Sequence, residues 1–170
     1  SLFDSHSHLN DEKFDEDRDK IIKEIYESGV TNFITAGYSV ESSKKAIEIS
    51  EKYDFIYTTA GVSPNDIPQT EEELWKQLSE IEEIAKNNNK VVAIGEIGLD
   101  YYWNTENKEL QRKAFIEQIK IANKCELPIV IHTRDAVMDT LQILKENPVI
   151  KKGIFHCCPQ NRELIKEGLN

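Results

Sequence analysis

The amino-acid sequence predicts an α/β fold of the (β/α)8 TIM-barrel type, with about six βα units in this chain. Short apolar runs that suit buried strands alternate with longer segments whose apolar residues recur at helical spacing. Such alternation is typical of a parallel sheet with helical crossovers. Polar residues follow several of the runs, and barrel active sites collect side chains from the carboxyl ends of many strands.

The predicted elements follow one another without a linker. The strands are predicted near residues 2–6, 32–36, 55–60, 91–95, 128–131 and 153–155. The helices are predicted near residues 17–27, 40–52, 71–86, 108–125 and 136–145, and a last helix begins at Gln160. Ser39 is a suitable cap for the second helix, and Gly29 ends the first. The segment that carries residues 95–102 is predicted to be the loop after the fourth strand.

An open doubly wound sheet is the competing architecture. It should show a glycine-rich first loop, whereas residues 5–10 read SHSHLN. The barrel is therefore favoured, with one domain over residues 1–170. Because a complete barrel needs about 250 residues, we expect this domain to be incomplete at its C-terminus.

Charge and composition restrict the class of protein. The chain has 31 acidic and 21 basic side chains and a net charge of -10, which argues against a broad basic surface for nucleic acid. Any nucleic-acid role must come from a local site. No segment suits a membrane span or a signal peptide, so we expect a cytoplasmic protein. The three cysteines lack the spacing of a disulfide framework and are interpreted as reduced thiols.

All four histidines follow short apolar runs. His6 and His8 alternate on a strand and can present two imidazoles to one point in space. His132 and His156 follow two later runs, and Glu96 closes a buried strand, where an unpaired charge would be costly. We predict a metal site formed by these five residues. A thiolate ligand from Cys157 or Cys158 is a weaker alternative.

Two further polar residues are candidates for catalysis together with Glu96. Asp100 can assist proton transfer or orient a ligand, and it can equally cap the loop after Leu99. Arg134 can hold a substrate phosphate with its fork of donors, or form an ion pair with Asp135.

The loop that follows Asp100 carries three aromatic residues, Tyr101, Tyr102 and Trp103. They can stack on exposed bases of a single strand, or they can pack the loop against the barrel. The sequence leaves both uses open.

Four motifs in order carry a resemblance to a known family. They are FDSHSHL at residues 3–9, GEIGLDY at 95–101, IHTRDA at 131–136 and FHC at 155–157. The chain resembles the TatD-type metal-dependent deoxyribonucleases of the amidohydrolase superfamily over its whole length. It departs from the family pattern where GVSPN at residues 61–65 replaces a segment with two histidines. The family's last metal ligand, a late aspartate, has no counterpart before Asn170.

The resemblance implies two divalent metal ions bridged by Glu96. One ion would take His6 and His8, and the other would take His132 and His156; zinc, manganese and magnesium stay open as the metal. It also implies hydrolysis of DNA, in single strands and from an end.

Two other functions stay open. They are a small-molecule amide or ester hydrolase on the same scaffold, and a catalytically incomplete fragment. The open flank of the barrel also predicts self-association through the edge strands near Phe3 and Ile154.

Overall fold

The computed structural model of the chain describes residues 2–4, 9–151 and 154–157. Its centre is a six-stranded sheet in which neighbouring strands are parallel and strand order follows chain order. The strands are β1 (Leu2–Asp4), β2 (Val30–Thr35), β3 (Ile56–Ala60), β4 (Val91–Asp100), β5 (Ile129–Arg134) and β6 (Ile154–Cys157). A doubly wound sheet would place later strands on the other side of β1. The sequential order is that of a (β/α)8 barrel, as predicted.

A helix links each pair of consecutive strands. The helices are α1 (Arg18–Glu27), α2 (Val40–Lys52), α3 (Glu71–Asn87), α4 (Lys108–Lys124) and α5 (Val137–Glu146). Short 3-10 turns lie after β1, at Glu12–Phe14, and after β3, at Pro64–Asp66. The predicted helix bounds agree with these to within one residue. The predicted helix from Gln160 lies outside the described residues.

Local capping explains why the helix starts were predictable. Ser39 Oγ accepts a hydrogen bond from the Ser42 amide at 3.1 Å, and Ser42 Oγ accepts from the Ser39 amide at 3.0 Å. This reciprocal pair is a capping box, which satisfies free donors in the first turn of α2. Thr70 caps α3 with a single bond, since its Oγ1 accepts from the Glu73 amide at 3.2 Å. Acidic residues fill the first turn of α3, where the helix dipole favours negative charge.

The fourth and fifth strands are longer than predicted. The segment assigned to the loop after the fourth strand is part of β4 as far as Asp100. That prediction is wrong because Ile97 and Leu99 are completely buried and pair with β5. β5 likewise continues to Arg134, so His132 lies within a strand instead of following one.

The larger part of the hydrophobic core lies between the sheet and helices α3 and α4. A smaller cluster around Ile22 packs α1 against β2 and β3. The largest side chains of the larger cluster that are almost completely inaccessible are Leu74, Leu78, Ile81, Ile94, Ile97, Leu99, Phe115, Ile119, Ile129 and Ile131. Since β4 and β5 contribute many of them, the core holds these two strands firmly against α4.

Two predictions concern membrane association and the edges of the sheet. Within the described residues, no helix combines the length and hydrophobicity needed to cross a membrane. β1 and β6 are the edge strands of the described sheet. Self-association through these edges stays a prediction.

Candidate functional site

Four of the predicted site residues lie on the carboxyl halves of β4 and β5. Asp100 and Arg134 are the last residues of their strands and pair with each other in the parallel register. Glu96 and His132 precede them on the same two strands. The carboxyl edge of the sheet, where barrel active sites lie, therefore carries imidazole, carboxylate and guanidinium groups.

The other predicted metal ligands are only partly covered by the described residues. His132 on β5 pairs with His156 on β6, so the backbones of two predicted ligands lie at the same level of the sheet. The side chain of His156 lies outside the described part of the chain, as do His6 and His8 completely. The metal-binding role of these three residues stays a prediction.

Asp100 and His132 form a close pair in the site. His132 Nε2 lies 2.9 Å from Asp100 Oδ2, and Asp100 Oδ1 accepts a hydrogen bond from the Tyr102 amide at 3.0 Å. The residue is 1% exposed. Asp100 thus both contacts a predicted ligand and caps the following turn, which are the two roles that the sequence left open.

The ionisation of Asp100 follows from these contacts. Burial alone would raise the pKa of Asp100, but hydrogen bonds from His132, Asn65 and the Tyr102 amide outweigh burial and lower the pKa below its usual value. An ionised carboxylate can only accept hydrogen bonds, so His132 Nε2 carries the proton. In the neutral imidazole, Nδ1 is then the nitrogen whose lone pair can bind a metal.

Asn65 is a member of the site that sequence reasoning missed. Its Nδ2 donates to Asp100 Oδ2 at 3.1 Å, the same oxygen that His132 contacts. The turn that carries Asn65 is held by Ser63, whose Oγ accepts from the Asn65 amide and donates to Asp66 Oδ2 at 2.6 Å. In the sequence, this segment is notable only because it lacks the two histidines of the family pattern. No local signal indicates a contact across 35 residues.

Two buried glutamines of α4 hold the backbone of the segments that carry the site. Gln111 accepts a hydrogen bond from the Asp100 amide at 2.9 Å and donates to the Asp100 carbonyl at 3.0 Å. Gln118 makes the same pair of bonds with Val62, at 2.8 and 3.0 Å. Residues seven apart share one face of a helix. α4 therefore fixes Asp100 relative to the segment that carries Asn65.

Glu96 lies at a distortion of β4. The register between β4 and β5 shifts between Ile94 and Ile97, and Glu96 in this shift is only 7% exposed. A bulge of this kind redirects a side chain and is common beside active sites. Gly98 has φ +141°, and a Cβ atom there would collide with the carbonyl oxygen of His132. Glycine is thus required where the strand bearing Glu96 passes closest to His132.

Arg134 lies against the aromatic loop after β4. Its guanidinium carbon is 3.6 Å from the ring centroid of Tyr102 and 5.5 Å from that of Trp103. Among the described residues, Arg134 forms an ion pair neither with Asp135 nor with another acidic residue. Stacking on an aromatic ring orients the planar guanidinium and leaves its charge available to an anion.

The three aromatic residues of this loop have different environments. Tyr101 packs against the core, and its hydroxyl donates to Asp139 Oδ2 at 2.7 Å. Tyr102 and Trp103 are 52% and 69% exposed, and their rings meet edge to face with centroids 4.7 Å apart. Packing of the loop thus accounts for Tyr101 and leaves the other two rings on the surface beside Arg134.

These motifs and this barrel sheet agree with a known family. The family model described as TatD related DNase matches residues 3–170. The chain belongs to the TatD-related DNase family. Its resemblance to that family and its fold class are thereby confirmed.

Individual TatD-family members show the extent of the match. The chain is 42% identical to the "Uncharacterized metal-dependent hydrolase YabD" of Bacillus subtilis, over 98% of this chain and 64% of that protein. It is 34% identical to the "3'-5' ssDNA/RNA exonuclease TatD" of Cronobacter sakazakii, over 99% of this chain and 64% of that protein. A solved hydrolase TatD family protein from Entamoeba histolytica superposes with a TM-score of 0.84 at 30% identity, covering 98% of this chain and 61% of that one. The chain spans less than two thirds of the length of these proteins.

The donor groups of this TatD-family chain fit a metal. Glu96 and His132 offer carboxylate and imidazole, a set that suits zinc or manganese, whereas magnesium prefers oxygen. The pKa of nearby Asp66 is raised, first by desolvation and further by the charge of Glu96, against the opposing bond from Ser63. A cation would relieve this repulsion between carboxylates. The described residues contain no cluster of three metal-binding side chains, so a complete site requires ligands from outside them.

Proposed function

We propose that the protein is a metal-dependent hydrolase that cleaves phosphodiester bonds of DNA by means of an activated water. The observation that carries the proposal is the arrangement of Glu96, His132 and Asp100 at the carboxyl edge of β4 and β5, with Arg134 beside them. The names of the relatives support metal dependence and extend the proposal to exonucleolytic cleavage of single strands.

Glu96 and the histidines would together hold two divalent cations in the proposed centre. His6 and His8 would hold one cation, and His132 and His156 would hold the other. When bound, the cations would supply a water of lowered pKa and stabilise charge on the phosphate oxygens. Zinc, manganese and magnesium are the metals to be tested.

The described side chains would contribute orientation and charge. Asp100 would act as a positioning residue, because its carboxylate holds the Nε2 proton of His132 and fixes the direction of the ring. Asn65 would keep that carboxylate in place through its amide. Arg134 would bind the phosphate oxygens with two parallel hydrogen bonds, in a plane fixed by its stacking on Tyr102.

The shape of the surface supports a polymer substrate over a small molecule. An amide or ester hydrolase for small molecules would favour a closed pocket around the metal donors. Here Tyr102 and Trp103 are exposed beside Arg134, where their rings are accessible to the bases of a strand. Hydrolysis of small molecules is therefore less favoured than hydrolysis of a nucleic-acid strand.

The test compares the wild-type chain with two matched variants. Each protein is incubated with a single-stranded oligonucleotide and manganese, magnesium or zinc, and released nucleotides and bound metal are quantified. Glu96→Gln removes a charge without changing size, and we expect it to lose both metal and nucleotide release. Glu72→Gln changes an exposed residue of α3 and should retain both.

Each other outcome contradicts the proposal in a different way. Wild-type protein that binds metal without releasing nucleotides would be a catalytically incomplete fragment. Hydrolysis of an amide or ester without hydrolysis of DNA would assign the site to small molecules. Equal activity of wild type and Glu96→Gln would remove Glu96 from the mechanism.

A further inference from the structure

A cleft with neutral walls lies beside the candidate site. It has a volume of about 460 Å³, within the range of about 300–1,000 Å³ that is usual for small-molecule sites. Its lining residues are Pro64, Asn65, Ile67, Trp103, Asn104 and Asn107, which we call the aromatic cleft. Because the Asn65 amide donates to Asp100, the cleft adjoins the Asp100–His132 pair.

Trp103 is the largest apolar side chain that lines the aromatic cleft. The residue is 69% exposed, although tryptophan is usually buried for most of its area. The edge-to-face contact with Tyr102 orients the ring. Trp75, the other tryptophan, is less exposed at 39%, and its Nε1 donates to Glu71 on the same helix. Trp103 Nε1 makes no such bond within the described residues, so the indole keeps both a face and a donor for a ligand.

The asparagines of the cleft supply hydrogen-bonding groups. Asn104 Oδ1 accepts from the amides of Glu106 and Asn107, and Asn107 Oδ1 accepts from Gln111. Their Nδ2 groups donate no hydrogen bond among the described residues. Asn65 uses its Nδ2 on Asp100 and keeps its Oδ1 as an acceptor. A flat ligand with donors and acceptors on its edge would match this set, as nucleobases do.

The charges around the cleft indicate that the flat ligand carries an anionic group. The chain carries a net charge of -10, yet none of the described lining residues of the cleft is acidic. The guanidinium of Arg134 lies 5.5 Å from the Trp103 ring centroid and 3.6 Å from that of Tyr102. An aromatic face and amides with a cation next to them suit a base that carries a phosphate.

We propose that the aromatic cleft binds one nucleobase of a single-stranded nucleic acid, stacked on Trp103, with the adjoining phosphate towards Arg134. This inference rests on the proposed function and names the part of the substrate that the cleft recognises. Base stacking tolerates every sequence, since each base has a π-face. The cleft would therefore select single strands, whose bases are accessible, over paired duplexes.

Binding without metal tests the inference independently of hydrolysis. The probes are a fluorescently labelled oligothymidylate and an abasic oligomer of the same length and charge, titrated with protein in EDTA at low salt. Trp103→Ala should weaken oligothymidylate binding about 5- to 150-fold and leave abasic binding unchanged. Trp103→Phe should retain most of the affinity. Trp75→Ala is the matched control and should bind as the wild type does.

Binding of a base and release of nucleotides can be lost independently of each other. Base-dependent binding that needs Trp103, without nucleotide release when metal is added, would support the cleft and overturn the nuclease. Nucleotide release with equal affinity of wild type and Trp103→Ala for oligothymidylate would support the nuclease and overturn the cleft. Wild-type protein that does not prefer oligothymidylate to the abasic oligomer would also overturn the cleft.

Discussion

Replacement of Asp100 by asparagine tests whether this buried carboxylate positions His132. One carboxylate oxygen faces His132 and Asn65, and the other accepts from the Tyr102 amide. Asparagine has the same shape but only one acceptor oxygen. Whichever way its amide turns, at least one of these donors would face an NH2 group.

The expected loss of stability in Asp100→Asn follows from the burial and the charge of Asp100. Asp100 is 1% exposed, so water cannot replace a lost partner. A hydrogen bond to a charged group contributes about 1.5–3 kcal/mol, and a buried unsatisfied donor costs about 1–3 kcal/mol. We therefore expect the free energy of unfolding to fall by about 2 kcal/mol and Tm to fall by about 4–8 °C. Loss of this contact to the proposed metal ligand His132 should weaken metal binding about 10- to 100-fold.

Urea unfolding of metal-free protein and calorimetric titration with zinc or manganese measure the two effects separately. Asp54→Asn, at an exposed position before β3, makes the same charge change and should alter stability by less than about 0.5 kcal/mol. If Asp100→Asn and Asp54→Asn unfold at the same urea concentration, the stability argument is wrong. Lowered stability with unchanged metal affinity would refute the positioning role of Asp100.

Two further predictions concern the strand and the loop beside the site. Gly98→Ala should lower the free energy of unfolding clearly more than Gly29→Ala. Both residues have positive φ, where a side chain costs about 1–3 kcal/mol, but only at Gly98 would the new Cβ also collide with the His132 carbonyl oxygen. Equal urea midpoints would contradict this collision. Burial and then the bond to Asp139 raise the pKa of Tyr101, so its stabilising contribution is complete below the unfolded-state pKa of about 10 and is lost as the pH rises further. The unfolding free energy of wild type should fall more steeply above about pH 10 than that of Tyr101→Phe, and equal slopes would refute the assignment.

Features that depend on neighbouring residues were predictable from the sequence. Ser39 and Ser42 form their capping box within one turn, so the start of α2 was visible locally. Gly29 has φ +98° just after α1, a conformation that glycine adopts without strain. The pattern of polar residues after apolar runs likewise placed Glu96 and His132 at one edge of the sheet.

Features that depend on distant pairing were not predictable. The sequence motif that contains Gly98 resembles a loop, because glycine is rare in strands and nothing local shows that β5 lies alongside. The end of β4 became clear only from its register with β5. Asn65 was missed for the same reason, since its contact with Asp100 spans 35 residues.

The helix outside the barrel explains why such a distant contact can form reliably. Gln111 and Gln118 are 0% and 1% exposed, and each makes a donor and an acceptor bond with a backbone, at Asp100 and Val62. A side-chain amide offers the same two groups as a peptide, so each glutamine acts as an additional strand neighbour. In the sequence both look like ordinary helix residues, because glutamine is a good helix former. Since one rigid helix holds both segments, Asn65 reaches Asp100 without a large further loss of loop entropy.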